Sequence, residues 1–203
     1  MNRTLQEFKL PASAVVASHH LPIPGVGRVR MSYLESAEDT SRPVAVISVG
    51  HVSAVPVVRI HSRCLFGDTL HSPECDCGDQ LSMSLTQMHA AQSGLLIYLD
   101  QEGRGAGLLE KARAYQLAEE NGIDSFDAYS HRGLEHDQRS YVDAVRVLQL
   151  LDVRRCVLLT NNPLKVSALE SAGIVVERRP LVAERTRANA SFLQAMRRVG
   201  HLV

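Results

Sequence analysis

The 203-residue chain has no tryptophan, and aromatic residues of all kinds make up 4% of it. Grooves for single-stranded nucleic acid stack successive bases on aromatic rings, so this supply argues against one. Excess charge is missing too: 22 Lys and Arg balance 22 Asp and Glu. Nucleic-acid-binding domains draw affinity from neutralised phosphates and carry a basic excess. The Arg154–Arg155, Arg178–Arg179 and Arg197–Arg198 pairs lie beside acids or at element ends and read as solvated charge. No stretch approaches the ~20 apolar residues that span a bilayer. The polar Met1–Lys9 segment lacks the apolar centre of a signal peptide. The expectation is a cytoplasmic protein with neither nucleic acid nor membrane among its partners. Internal repeats and low-complexity tracts are also absent, and the length suits a single core.

Four cysteines are present, and three of them fall within fourteen residues. Cys64, Cys75 and Cys77 form Cys-x10-Cys-x-Cys, which in a cytosolic chain points to metal or catalysis before disulfides. A catalytic zinc site uses three protein ligands and keeps a fourth position open. Two other readings compete: His61 or His71 closes a structural site, or the cysteines bind nothing. Cys156 opens an apolar strand and reads as a small core residue. Three thiolates donate much charge, so zinc held by them needs help from its surroundings to activate water.

The periodicity predicts strands over Gly27–Leu34, Val44–Val49, Val55–Ile60, Leu95–Leu99, Cys156–Leu159 and Ile174–Glu177. Residues 11–42 hold most of the loop signals, including Leu21-Pro22-Ile23-Pro24-Gly25. After Cys77 a 3.6-residue period places Leu81, Leu85 and Met88 on one helical face, with Gly94 as the stop. Further helices are expected over Leu108–Glu120, Arg139–Leu151, Pro163–Ser171 and from Thr186 onward. A strand-rich front and an alternating back imply one α/β domain over residues 1–203, a mixed β-sheet covered by helices.

Three loops carry candidate chemistry. Gly103, Gly105 and Gly107 lie between a strand and a helix, where backbone N–H groups and Arg104 can meet an anion; a plain tight turn explains the glycines equally. In Thr160-Asn161-Asn162-Pro163-Leu164-Lys165, Asn162 suits an N-cap and Pro163 the first helical position. Thr160 and Lys165 are left for a ligand at a strand end. Asp137 is either a helix-start acid or a proton acceptor beside a phosphate-binding Arg139.

Taken together these segments resemble GTP cyclohydrolase II. The matching words are Arg59-Ile60-His61-Ser62, Cys64-Leu65-x-Gly67-Asp68, Cys75-Asp76-Cys77-Gly78-x-Gln80-Leu81, Gln101-Glu102-Gly103-Arg104-Gly105-x-Gly107-Leu108, Lys111-x-Arg113-Ala114-Tyr115, Asp137-x-Arg139-x-Tyr141 and Leu159-Thr160-Asn161-Asn162-Pro163-x-Lys165-Val166. They run in the family's order from about Val57 to Leu181, the expected catalytic core. The resemblance implies zinc on Cys64, Cys75 and Cys77, hydrolytic opening of the guanine ring of GTP at C8, and release of formate and pyrophosphate, with Mg²⁺ at the phosphates. It implies a homodimer serving riboflavin biosynthesis. It makes Asp137 a proton acceptor, Arg139 the group at the α-phosphorus and Tyr115 an aid to hydrolysis. Arg59, Ile60, His61, Ser62, Arg63, Gln80, Glu102, Gly103, Arg104, Ser125, Thr160 and Lys165 are implied nucleotide contacts, with Glu102 accepting from guanine.

The chain departs from the family in two places. Arg63 precedes the first cysteine and Glu74 the second, where the family commonly has Glu and Arg. The two either face each other and still pair, or alter the phosphate surroundings. The tail around Asn189–Met196 and the region between Ser130 and His136 also diverge. These departures admit an alternative: a paralogue that stops at the ring-opened formamide or accepts another purine nucleotide.

Overall fold

The structure is a computed structural model and describes residues 6–202. The first part of the polar Met1–Lys9 segment and the last residue of the tail therefore lie outside the described residues. Seven strands form one sheet: β1 (Ala17–Ile23), β2 (Gly27–Leu34), β3 (Val44–Gly50), β4 (Val57–Ser62), β5 (Ser93–Leu99), β6 (Arg155–Leu159) and β7 (Val175–Arg179). Their spatial order is β1-β2-β3-β5-β4-β6-β7. The β1/β2, β2/β3 and β3/β5 pairs are antiparallel, whereas β4/β5, β4/β6 and β6/β7 are parallel. The sheet is mixed, as expected. The carboxyl ends of its four parallel strands share one side, where open α/β sheets place ligands.

The described residues form six α-helices: α1 (Cys77–Ala91), α2 (Leu108–Asn121), α3 (Ser125–His131), α4 (Val142–Leu150), α5 (Pro163–Ser171) and α6 (Ala190–Arg198); α1, α4 and α5 pack on the sheet, whereas α2 packs on α3, and α3 on α6, beside it. None among the described residues is long and apolar enough to cross a membrane. Two cores fill the two faces. On one, Val58, Ile60, Leu95 and Ile97 pack with Val147 and Leu148 of α4 and Leu169 of α5. On the other, Val57, Leu96 and Leu159 pack with Met88 of α1, and Leu81 and Leu85 flank it. Strand alternation thus sends Arg59 and His61 of β4 to the α1 side, and Ile60 to the opposite core. Cys156 is fully buried in the first core.

Three expectations need correction. Residues 11–42 are not mainly loop, since β1 and β2 occupy much of them. Pro22 obscured β1, but a proline is tolerated there because β1 is an edge strand bonded only to β2. Phe8 and Leu10 join the main core, so the N-terminal segment packs on this chain. Gly94 does not stop α1. The helix ends at Ala91, Gln92 takes the left-handed conformation (φ 51°), and Gly94 lies inside β5. A Cβ on Gly94 would come within 2.2 Å of Met88 Cγ, so close packing explains this glycine. The helix expected from Arg139 begins at Val142, leaving Arg139 and Ser140 in the preceding loop.

Candidate active site

One cavity of about 120 Å³ opens at the carboxyl ends of β4, β5 and β6. It brings together all but two of the site residues that the resemblance implies. Arg59, His61, Ser62, Arg63, Cys64, Cys75, Cys77 and Gln80 come from β4, the following turn and α1. Glu102, Gly103, Arg104, Tyr115 and Ser125 come from the glycine loop, α2 and α3, and Arg139, Thr160 and Lys165 from the later loops and α5. The exceptions are Ile60, whose side chain is in the core, and Asp137, which reaches the site through Arg139.

The three sulfurs converge because two chain segments touch backbone to backbone. Cys64 leads into a single π-helical turn, Leu65–Thr69, while Cys75 and Cys77 sit at the start of α1. A Cβ on Gly67 would stand 2.8 Å from Cys77 Cβ and 2.9 Å from Cys75 Sγ, and one on Gly78 would stand 2.4 Å from Gly67 O. Only glycines allow this approach. All three sulfurs lie within 4.8 Å of one another, with Cys64 Sγ and Cys75 Sγ 3.9 Å apart. Three thiolates about 2.3 Å from a tetrahedral zinc would be about 3.8 Å apart, so the trio fits that ion. The hydrogen bonds of Cys75 and Cys77, together with nearby Lys111, push the Cys64 thiol far below its usual range.

Neither histidine closes the site. His71 is exposed. His61 is buried, with Nε2 3.0 Å from Asp68 Oδ1 and Nδ1 3.5 Å from Arg59 Nη2. Asp68 also accepts from Tyr98 Oη at 2.9 Å and from the Cys64 N–H at 3.0 Å. Burial pushes the His61 pKa down, against the pull of Asp68. A second relay runs from β6 to the cysteines. Arg59 donates to Leu159 O at 3.0 Å and to Gln80 Oε1 at 2.6 Å; Gln80 donates to Asp76 Oδ2 at 2.5 Å, between Cys75 and Cys77.

The glycine loop is both a tight turn and a cavity wall. Gly103, Arg104 and Gly105 all have positive φ (60°, 57° and 93°). A Cβ on Gly105 would lie 2.9 Å from the Gln138 carbonyl, so the loop packs against the 137–139 segment, and Gln138 N–H donates to Arg104 O at 2.9 Å. The Arg104 guanidinium stacks 3.3 Å above the Phe126 ring. Glu102 accepts from Leu65 N–H (2.6 Å), Lys111 Nζ (2.7 Å) and Gly103 N–H (3.2 Å). A carboxylate offers about four acceptor positions, which leaves one.

Asp137 is not a helix cap. It grips Arg139 through Nε (2.8 Å) and Nη2 (2.5 Å) and accepts the Arg139 backbone N–H at 3.1 Å. Although burial opposes it, this clamp holds the Asp137 carboxyl below its usual range. Asn162 caps α5 as expected, accepting from Leu164 N–H at 2.8 Å. Lys165 is buried and donates to Ile60 O at 2.9 Å. Burial, then Arg59 and Arg139, push its pKa well down. Burial and Arg139 lower Arg104 to about 10. Arg59 Nε and Arg104 Nη1 are buried without a partner. Mutually depressed cations and orphaned guanidinium donors suit a polyanionic ligand, which would relieve both.

Arg63 pairs with Asp100 at 3.1 Å, and Glu74 is exposed. The expected Arg63–Glu74 pair is therefore corrected: the end of β5 supplies the carboxylate. Sequence reasoning also missed part of the cavity wall. Phe192 and Met196 of α6 and His201 line it. Asn161 anchors that wall, accepting from Leu202 N–H at 2.9 Å and exchanging two bonds with the Leu181 backbone. Arg198 pairs with Asp124 at the start of α3.

The sequence is similar to those of known proteins. The sequence profile of the GTP cyclohydrolase II family matches residues 14–180. GTP cyclohydrolase-2 of Pseudomonas syringae pv. tomato is 41% identical over 192 residues, covering 93% of this chain and 92% of that protein. GTP cyclohydrolase-2 of Xylella fastidiosa is 47% identical over 151 residues, covering 73% of this chain and 37% of that protein. Riboflavin biosynthesis protein RibBA of Chlorobium phaeovibrioides is 40% identical over 180 residues, covering 87% of this chain and 44% of that protein. The chain thus spans less than half of the latter two and nearly all of the first.

Proposed function

The chain belongs to the GTP cyclohydrolase II family, and on that footing we propose that it hydrolyses GTP at C8 of the guanine ring. The products are formate, pyrophosphate and a diaminopyrimidinone ribosyl phosphate, a precursor of riboflavin. One observation carries the reading: a single cavity is lined both by three converged sulfurs and by Arg59, Arg104, Arg139 and Lys165. Zinc on Cys64, Cys75 and Cys77 supplies Lewis-acid activation of water when bound.

The chain's own residues then divide the work. Tyr115 packs edge-on against Phe66 and lines the cavity. Burial raises its pKa to about 12, so it keeps its proton at neutral pH and can donate to the departing ring nitrogen. Glu102 gives its remaining acceptor position to the guanine N1–H edge, and an adenine would leave that buried carboxylate short of a donor. Arg104 and Lys165 meet the triphosphate, which enters with Mg²⁺. Arg139, oriented by Asp137, stabilises charge at the α-phosphorus; a guanidinium stays protonated, so this electrostatic role suits it better than nucleophilic attack. Asp137, ionised, can accept a proton. Ser62, Arg63, Gly103, Ser125 and Thr160 complete the nucleotide walls, while Arg59, His61 and Gln80 position the cysteine segments from beneath. The reading includes a cytoplasmic homodimer.

The test is mass spectrometry of zinc-loaded protein incubated with GTP and Mg²⁺, with formate assayed in parallel. One formate and one pyrophosphate per GTP consumed support the reading. Accumulation of a ring-opened formamide, or intact GTP, contradicts it.

A further inference from the structure

Lys111 has no part in the roles assigned above, yet it is among the most constrained side chains in the molecule. It lies in the first turn of α2, where the helix dipole disfavours a cation. It is also buried, at 7% exposure. Its ammonium donates to Cys64 Sγ at 3.2 Å and to Glu102 Oε1 at 2.7 Å, and lies 4.1 Å from the centre of the Phe66 ring. A buried cation at a helix start is retained only where anionic partners repay its desolvation. A divalent metal and three thiolates sum to a net charge of minus one, and Lys111 lies against that charge.

The contact is also selective. Cys64 takes both the Lys111 ammonium and the Gly67 N–H (3.3 Å) on its sulfur. Among the described residues, no charged donor is recorded on Cys75 or Cys77. A hydrogen bond from a cation draws electron density from a thiolate and weakens it as a donor. Three thiolates otherwise leave a zinc ion electron-rich and a poor Lewis acid.

We propose that Lys111 is a positioning residue that tunes the metal site through Cys64, offsetting the donation of three thiolates and neutralising the negative complex. This rests on the reading that the cysteine trio holds a metal. Glu102 holds the ammonium in place, which links the guanine-facing carboxylate to the metal site through one lysine.

Cobalt(II) is the probe, because its sulfur-to-metal charge-transfer band reports thiolate donor strength directly. Lys111→Met keeps the length of the stem and removes the charge. The expected result is a band shifted to longer wavelength, as Cys64 regains donor strength, with cobalt affinity by chelator competition falling about 10- to 100-fold because no cation then offsets the negative complex. Lys111→Arg should restore most of both. A merely structural lysine would leave the band where it is. An unshifted band with wild-type affinity in folded Lys111→Met overturns the proposal. If Lys111→Met fails to fold because Glu102 is left unpaired, the Lys111→Met/Glu102→Gln double variant removes both charges and is read in the same way. Failure of the wild-type protein to give any sulfur-to-cobalt band would instead refute the metal site itself.

Discussion

Replacing Asp68 by asparagine should unfold the protein more easily. The Asp68 carboxylate accepts three bonds: from Tyr98 Oη at 2.9 Å, from Cys64 N–H at 3.0 Å and from His61 Nε2 at 3.0 Å. An asparagine oxygen can keep the first two, but as neutral rather than charge-assisted bonds, at a loss of about 1 kcal/mol each. The third fails. The new amide donor faces the His61 N–H, and the other tautomer would turn an N–H toward Arg59. One buried donor is left unmet at a cost of about 1–3 kcal/mol. The sum is about 3–5 kcal/mol, a large share of the ~5–15 kcal/mol that stabilises a typical domain. Guanidinium denaturation, compared at equal m-value, measures it. Stability within about 0.5 kcal/mol of wild type would refute this account of His61 as a buried support. The companion variant His61→Asn should likewise lose stability, and a rise in KM with unchanged stability would restore its role as a substrate contact.

Gly67→Ala should abolish metal uptake, because its Cβ would collide with Cys75 Sγ at 2.9 Å and Cys77 Cβ at 2.8 Å; metal content of the purified variant checks it, and normal uptake would show that the two segments can part cheaply. Burial, then Arg139 and Lys165, lower His201 to about 4 from a usual 6.5, so the unfolded chain binds a proton that the native state refuses between those values. Stability should fall as pH drops through that window, and His201→Asn should flatten this limb in pH-dependent thermal melts; an unchanged slope would mean that His201 is not buried against these cations.

Much of the site was legible because its residues cluster in sequence. Cys64, Cys75 and Cys77 announce themselves by spacing, and Asn162-Pro163 by the chemistry of a helix start. What was not legible arose from contacts across the fold. Nothing local tells a lysine at position 111 that it faces Cys64 rather than water. Arg63 finds Asp100 because β4 and β5 lie side by side, not because of its sequence neighbours. α3 is only seven residues long, too short for a period to show, and its Asp124 cap is recognised by the bonds it accepts from Phe126 and Asp127 N–H. The α6 residues that wall the cavity, Phe192 and Met196, resemble any amphipathic helix until Asn161 and Asp124 fix where the tail lies.

The central claim is that three thiolates form an open metal site within the nucleotide cavity. X-ray absorption spectroscopy of the zinc-loaded protein tests it most directly. The account predicts three sulfur neighbours at about 2.3 Å and one exchangeable light atom. A fourth sulfur, or the outer-shell scattering of an imidazole ring, would mean a closed structural site and contradict it.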